Sequence, residues 1–305
     1  MNLMRYKPIA SCRQALPRAT AALLVAAMLG LPGIVRAQAP FATPEQAADA
    51  FVDAMAVSDS SRLPVLLGKS WRELLPPFDQ MVAQNRYLFL AKAHESRVLK
   101  VRDGRAELVV GADPWTLPIP LAQGADGQWR FDPVGAREAI RVRRIGANER
   151  AAMQASLAYV DAQREYATAD RDGDGFLEYA QKLGSSPGKR DGLIWSRSLG
   201  DESPLGEDYI PARPGTGYHG YRFRILTAQG ASAPGGARSY LLGKRMVSGF
   251  ALIAWPVEYG RTGVMSFIVN QAGQIYERDL GPRTAAVAGG ITRFDPDAHW
   301  KPVKP

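Results

Sequence analysis

The sequence predicts an α+β protein, because helical periodicity gives way to strand alternation twice along the chain. In the first instance Phe51 and Met55 recur at i, i+4 beside Ala47 and Ala54, and alternation begins after Ser96. In the second, Met153, Leu157 and Val160 mark a buried helical stripe, and residues 221–226 (Tyr-Arg-Phe-Arg-Ile-Leu) alternate as a strand does. Two units follow, at 38–134 and 149–305, with a helical linker over 135–148.

Each element has a local cause. Thr43-Pro44-Glu45-Gln46 is a helix start: Thr43 can cap, Pro44 sits where its missing N–H costs nothing, and Gln46 completes a capping box. Short helices are expected at 62–67 and 79–93, separated by the breaker Pro76-Pro77. Leu99 and Val101 before Asp103-Gly104, with Ala106, Leu108 and Val110 after it, spell a hairpin around a two-residue turn. Trp115, Leu117 and Ile119 alternate with Thr116, Pro118 and Pro120, so that strand belongs at an edge, where missing donors are tolerated. Asp126-Gly127 turns the chain into 128–131. This order of helices and then an antiparallel meander is similar to nuclear-transport-factor-2-like (NTF2-like) domains.

Residues 135–144 read as a basic helical connector, and Asn148 as the cap of a second long helix ending in Asp170-Arg171-Asp172-Gly173-Asp174-Gly175. Gly, Pro and Ser dominate 184–217, which reads as loops. Beyond it, 249–255 reads as a buried strand, and 264–269 with 274–278 as a hairpin through Ala272-Gly273.

The N-terminus carries a different message. Arg5, Lys7, Arg13 and Arg18 precede an apolar run over 19–31 that Pro32-Gly33 breaks. That run is too short to cross roughly 30 Å of hydrocarbon, so it reads as a cleavable signal peptide over 1–37 rather than an anchor. Cleavage after Ala37 leaves Val35 and Ala37 in the recognition positions, and the absence of an Arg-Arg pair indicates the general secretory route. The expected location is the periplasm, with secretion beyond it as the alternative, and no stable membrane insertion of the mature chain.

The single cysteine, Cys12, leaves with the signal. A mature chain without a thiol excludes disulfides, cysteine zinc sites and cysteine nucleophiles. The formal charge of +8 falls near +3 once the five basic residues of 1–37 are subtracted. Nucleic-acid binding thereby loses its main argument, and Arg141, Arg143 and Arg144 read as a solvated face.

The stretches AYVDAQREYATADRDGDGFLEYAQKL, SSPGKRDGLIW, ESPLG, GYHGYRFRILTAQG and GFALIAWPVEYGRTGVMSFIVNQAGQIYERDLG, with FATPEQAADAFVDAM at the mature start, closely resemble the bacterial domain-of-unknown-function 2950 family (DUF2950). The resemblance covers essentially the whole chain after the signal and implies an exported protein; it brings no catalytic residues to carry over. A Tyr-rich helix end (Tyr166, Tyr179-Ala180), Gly220 to Phe223, Pro256, Gly263 and Gly273 are also similar to type II secretion pseudopilin heads. The uninterrupted N-terminal membrane helix that builds a pilus is missing.

The sharpest chemical signal is Asp170-x-Asp172-x-Asp174-Gly175. Three carboxylates at alternate positions can converge on Ca²⁺, with the Phe176 carbonyl and Glu178 completing the set. The twelfth position is Gln181, which cannot supply a bidentate carboxylate, and the competing reading is a helix-terminating turn whose Asp side chains bond the local backbone. His219, with Tyr218, Tyr221 and Trp255, suggests a ligand groove for glycan or peptide, although core packing explains most such aromatics more simply. Ser186-x-x-Lys189 with Arg261-Thr262-Gly263 mimics penicillin-binding enzymes, but Pro187-Gly188 denies the serine its helix start. No catalytic residue is assigned.

The expected function is accordingly a non-enzymatic binding or assembly module for an envelope protein or polymer. The alternatives are a hydrolase using His219 with Glu258 or Asp191, and a weak calcium-binding protein.

Overall fold

A computed structural model describes residues 38–57, 60–75, 80–209 and 215–305. The signal peptide expected over 1–37, with Cys12, the Pro76-Pro77 breaker and Asp79 lie outside the described residues.

Helix α1 (Pro44–Ala56) starts as its sequence dictates: Thr43 Oγ1 accepts from the Gln46 N–H at 3.3 Å, with Pro44 in the first turn. It buries Ala47, Phe51 and Ala54. Two short helices, α2 (Leu63–Leu67) and α3 (Trp71–Leu74), precede α4 (Gln80–Glu95). Strands β1 (Arg97–Arg102) and β2 (Arg105–Val110) then form the expected hairpin. Both turn residues, Asp103 and Gly104, have positive φ (49° and 70°), the tight geometry that matches strand twist. β3 (Trp115–Thr116) is shorter than the alternation suggests, because Pro118 and Pro120 cannot donate; Leu117 and Ile119 are buried all the same. β4 (Leu121–Gln123) and β5 (Trp129–Phe131) complete a sheet of order β1-β2-β4-β5, with β3 on β2. The first core closes on Phe51, whose ring meets Phe89 at 5.8 Å and Phe131 at 5.5 Å.

Helix α5 (Pro133–Tyr166) departs most from the sequence reading. The expected linker over 135–148 and the helix after it form one rod of 34 residues, capped by Asp132, whose carboxylate accepts from the Val134 and Gly135 N–H groups. Asn148 is no cap; it lies within the rod and its amide donates to the Thr262 carbonyl at 2.8 Å. An interior glycine such as Gly146 costs only about 1 kcal/mol, which tertiary bonds offset. Arg141 donates to the Gly260 carbonyl at 2.6 Å, and Glu149 Oε1 accepts from the N–H groups of Val264 and Met265 at 2.9 and 3.0 Å. α5 therefore contributes Ala136 to the first core and Ala152, Tyr159 and Val160 to a second.

The second sheet comprises β6 (Tyr221–Leu226), β11 (Ala251–Pro256), β12 (Met265–Asn270), β13 (Ile275–Asp279) and β14 (Lys301–Val303), in the antiparallel order β14-β13-β12-β11-β6. Two small ribbons, β7–β8 (Ala228–Gln229, Arg238–Ser239) and β9–β10 (Leu241–Leu242, Arg245–Met246), lie between β6 and β11 in the chain. Both faces of the sheet are covered. On one, Tyr159 of α5 donates to the Ala251 carbonyl at 3.1 Å. On the other, Arg224 donates to the carbonyls of Ala288, Gly289 and Ile291 at the end of α6 (Thr284–Gly290), where a cation suits the helix dipole. The fold is thus mixed helix and antiparallel sheet. Among the described residues no helix is long and apolar enough to cross a membrane.

Candidate aromatic clefts and acidic loop

The turn into β6 creates the site. Tyr218 and Tyr221 exchange both backbone hydrogen bonds (2.9 and 3.0 Å) across His219-Gly220, and both turn residues have positive φ (48° and 73°). Glycine takes that backbone freely; histidine there carries strain of order 1 kcal/mol. The turn presents Tyr218 to Tyr209, and the two rings stack at 5.2 Å with 15° between planes. Tyr209 comes from the loop-rich 184–217 stretch, and its hydroxyl reaches the Ala155 carbonyl of α5.

This stacked pair is a wall between two clefts. On one side, a cleft of about 310 Å³ adds Phe223, Trp255, Leu183 and Arg222. Trp255 pairs across the sheet with Arg222 and shares its face, whereas Phe223 points to the other, so the cleft gathers side chains from both faces at the β6 edge. On the other side, a cleft of about 360 Å³ is lined by His219, Gln154, Leu205 and alanines of α5. The groove expected from the sequence is therefore divided. Tyr218 is its shared wall, with His219 and Trp255 on opposite sides. Tyr221 is a core residue, fully buried behind them, with its hydroxyl on the Met265 carbonyl at 2.8 Å. Gly263 is pressed against that hydroxyl so closely that a Cβ would lie 2.0 Å away. Burial pushes the phenols of Tyr209 and Tyr221 well above their ordinary range.

Hydrolysis at His219 lacks its geometry. The imidazole is exposed and edge-on to Tyr218 at 4.4 Å, and among the described residues no carboxylate bonds it. Glu258 is paired with Arg261 at 2.7 Å, and Asp191 with Lys182 at 2.6 Å. Among the described residues His219 therefore has no carboxylate to orient it. His299 meets Asp297 only at an exposed turn.

The Ser186-x-x-Lys189 pattern forms a turn, with the Lys189 N–H on the Ser186 carbonyl at 2.9 Å. Sequence reasoning missed the true partner of Ser186, which is Lys182, at 2.9 Å. Asp191 binds both: it accepts from the Ser186 N–H and hydroxyl and pairs with Lys182. Burial by itself would raise the Asp191 carboxyl, but these three bonds hold it down to about 2. The cluster ties the 182–191 loop together.

The acidic loop forms as a turn after α5. Asp170, Asp172 and Asp174 each bring a carboxylate oxygen within 4.8 Å of the others. Most of these oxygens are engaged. Asp170 accepts from Gly173, Asp174 and Gly175, bonds led by Gly175 that lower its carboxyl, and Asp174 accepts from Phe176 and pairs with Arg245 at 2.8 Å. Gln181, at the twelfth position, donates to the Lys244 carbonyl, and Tyr179 bridges to Met246 in place of an outgoing helix. Phe176 lies under the Arg245 guanidinium at 3.8 Å. Among the described residues Glu178 Oε2 is buried without a hydrogen-bond partner, and burial together with Asp172 and Asp174 raises its carboxyl.

Fold and clefts together define an α+β protein with aromatic recesses beside an edge strand. Residues 38–303 match the model of the family described as "Protein of unknown function (DUF2950)", and the chain belongs to that family. No curated protein and no solved structure matches the chain, so the likeness to pseudopilin heads finds no support.

Proposed function

We propose that the protein is an exported, non-enzymatic binding module of the cell envelope, in which the Tyr209/Tyr218 wall seats a segment of an envelope polymer. The observation that carries this reading is that one stacked aromatic pair lines two open clefts while, among the described residues, the histidine beside it has no catalytic partner. Aromatic side chains offer rigid contact area at low entropic cost, and small folds host binding sites without implying a reaction.

Export is supported by the position of the family match, which begins at Gln38, the first residue after the expected cut. Gln38 is already anchored there, its amide donating to the carbonyls of Leu66 and Phe131 at 3.1 Å. Mass spectrometry of protein recovered from the envelope is expected to find Gln38 at the N-terminus. An intact Met1 on cytosolic protein would overturn export.

Binding is tested by cosedimenting the purified protein with insoluble cell-wall polymer from the same cells. Saturable pelleting that Tyr218→Ala reduces at least tenfold is expected. Pelleting equal in wild type and variant, or none, overturns the reading, and crosslinking to one envelope protein in its place would move the function to protein assembly.

A further inference from the structure

We infer that the ligand of the two clefts is an acidic oligosaccharide, one whose sugar rings carry carboxylates; this rests on the binding reading above. Three observations converge. The shared wall and the flanking Phe223 and Trp255 offer aromatic faces, which suit the C–H face of a pyranose, and the volumes of about 310 and 360 Å³ fall within the lower range of ligand sites. Hydroxyl-rich rings also need hydrogen-bonding groups at the rim. His219, Gln154 and Arg222 supply them: none of the three side chains is hydrogen-bonded or ion-paired among the described residues, and each lines a cleft that the tyrosine wall borders.

Charge decides between neutral and acidic sugars. Among the described residues, Arg222 is the one formal charge lining the first cleft, and no carboxylate lines either. A guanidinium with unspent donors matches a carboxylate in both charge and geometry. The backbone at His219 points the same way. An exposed two-residue turn with positive φ is made most cheaply by Asn or Gly, yet this one holds an imidazole in a left-handed conformation whose one partner among the described residues is the Tyr218 ring.

Calorimetric titration of the protein with a galacturonic acid oligomer, the same oligomer with its carboxylates reduced to alcohols, and hexaglutamate tests the inference. The acidic oligomer is expected to saturate, the reduced one to bind at least fivefold more weakly, and hexaglutamate not to compete. Tyr218→Ala and the exposed Arg222→Gln should each weaken the acidic oligomer at least tenfold, whereas Tyr218→Phe, which keeps the stack, should stay within twofold. Absence of saturation, equal binding of the reduced oligomer, or competition by hexaglutamate overturns it. If cell-wall pelleting persists when the oligomer fails, the ligand class is wrong and the binding reading stands; if pelleting fails as well, both fall.

Discussion

The two cores are built from the same kinds of element yet differ in how they treat polar groups. Among the described residues the first has no buried polar side chain, and the outer face of its sheet carries Lys100, Arg102, Arg105 and Glu107 in solvent. The second is covered on both faces, and every buried polar residue described lies there: Ser156, Gln163, Gln229, Ser266, Asn270 and Thr284. A sheet that is wet on one side needs only alternation to specify it. One buried on both sides must place its loops, and here buried amides do so. Gln163 accepts from the Ala180 N–H and donates to the Ala180 carbonyl, pinning the chain beyond the acidic loop to α5, and Gln229 holds the carbonyls of Pro234 and Gly236.

Near-isosteric swaps should expose this difference most strongly. Gln163→Leu keeps the volume but strands the Ala180 N–H and carbonyl in the interior, at about 1–3 kcal/mol for each unsatisfied group. A total loss of about 3 kcal/mol in urea unfolding is expected. Leu66→Met in the first core should cost less than about 1.5 kcal/mol. Equal losses at the two sites would erase the distinction between the cores.

The same contrast governs what the sequence discloses. Thr43-Pro44 and the turns at Asp103-Gly104, Asp126-Gly127 and Ala272-Gly273 were legible because cap and turn chemistry is local, and those turns close the β1–β2, β4–β5 and β12–β13 hairpins. The unbroken α5 was not, since Asn148 reads as the cap of a separate helix until the carbonyls of Gly260 and Thr262 arrive from more than a hundred residues away. α6 and β14 were missed as well: a seven-residue helix rich in Ala and Gly, and an edge strand holding Pro302, lack periodic signal. Of the site, His219, Tyr218 and Trp255 were visible as aromatics near a turn. Their division by Tyr209 depends on a loop residue whose only local mark is an aromatic ring among Gly and Pro.

Acid should separate the halves next, by a smaller amount. Asp126 of the first sheet is held down to about 2, first by its hydrogen bond from Arg130, so its contribution is present above the ordinary aspartate range and fades only as pH falls toward that value. Glu277 of the second sheet has the opposite sign. Burial raises its carboxyl, Glu149 adds to the rise, and Lys301 opposes it. The folded state then holds the proton more tightly than the unfolded chain, so stability grows as pH falls from neutral toward the ordinary glutamate value of 4.5 and levels off below it. Thermal melts between pH 7 and 4.5 should show the midpoint rising, and Glu277→Gln should flatten that slope while leaving the loss at lower pH intact. An unchanged slope would place the effect elsewhere.

The acidic loop should give the smallest effect. Its three aspartates lie close enough to share a cation, yet closing the turn already occupies both oxygens of Asp170, and Arg245 neutralises Asp174. Calcium would have to displace that guanidinium and would find the Gln181 amide engaged on Lys244 where a bidentate carboxylate is needed. A native-state ligand stabilises only in proportion to RT ln(1 + [L]/Kd), so a site with these defects should shift the melting midpoint by less than about 1 °C at millimolar calcium relative to chelator. Arg245→Gln frees the Asp174 carboxylate and should enlarge the shift. A rise of several degrees in the unaltered protein would show that the loop rearranges around the ion, and would make the chain after α5 a second binding site.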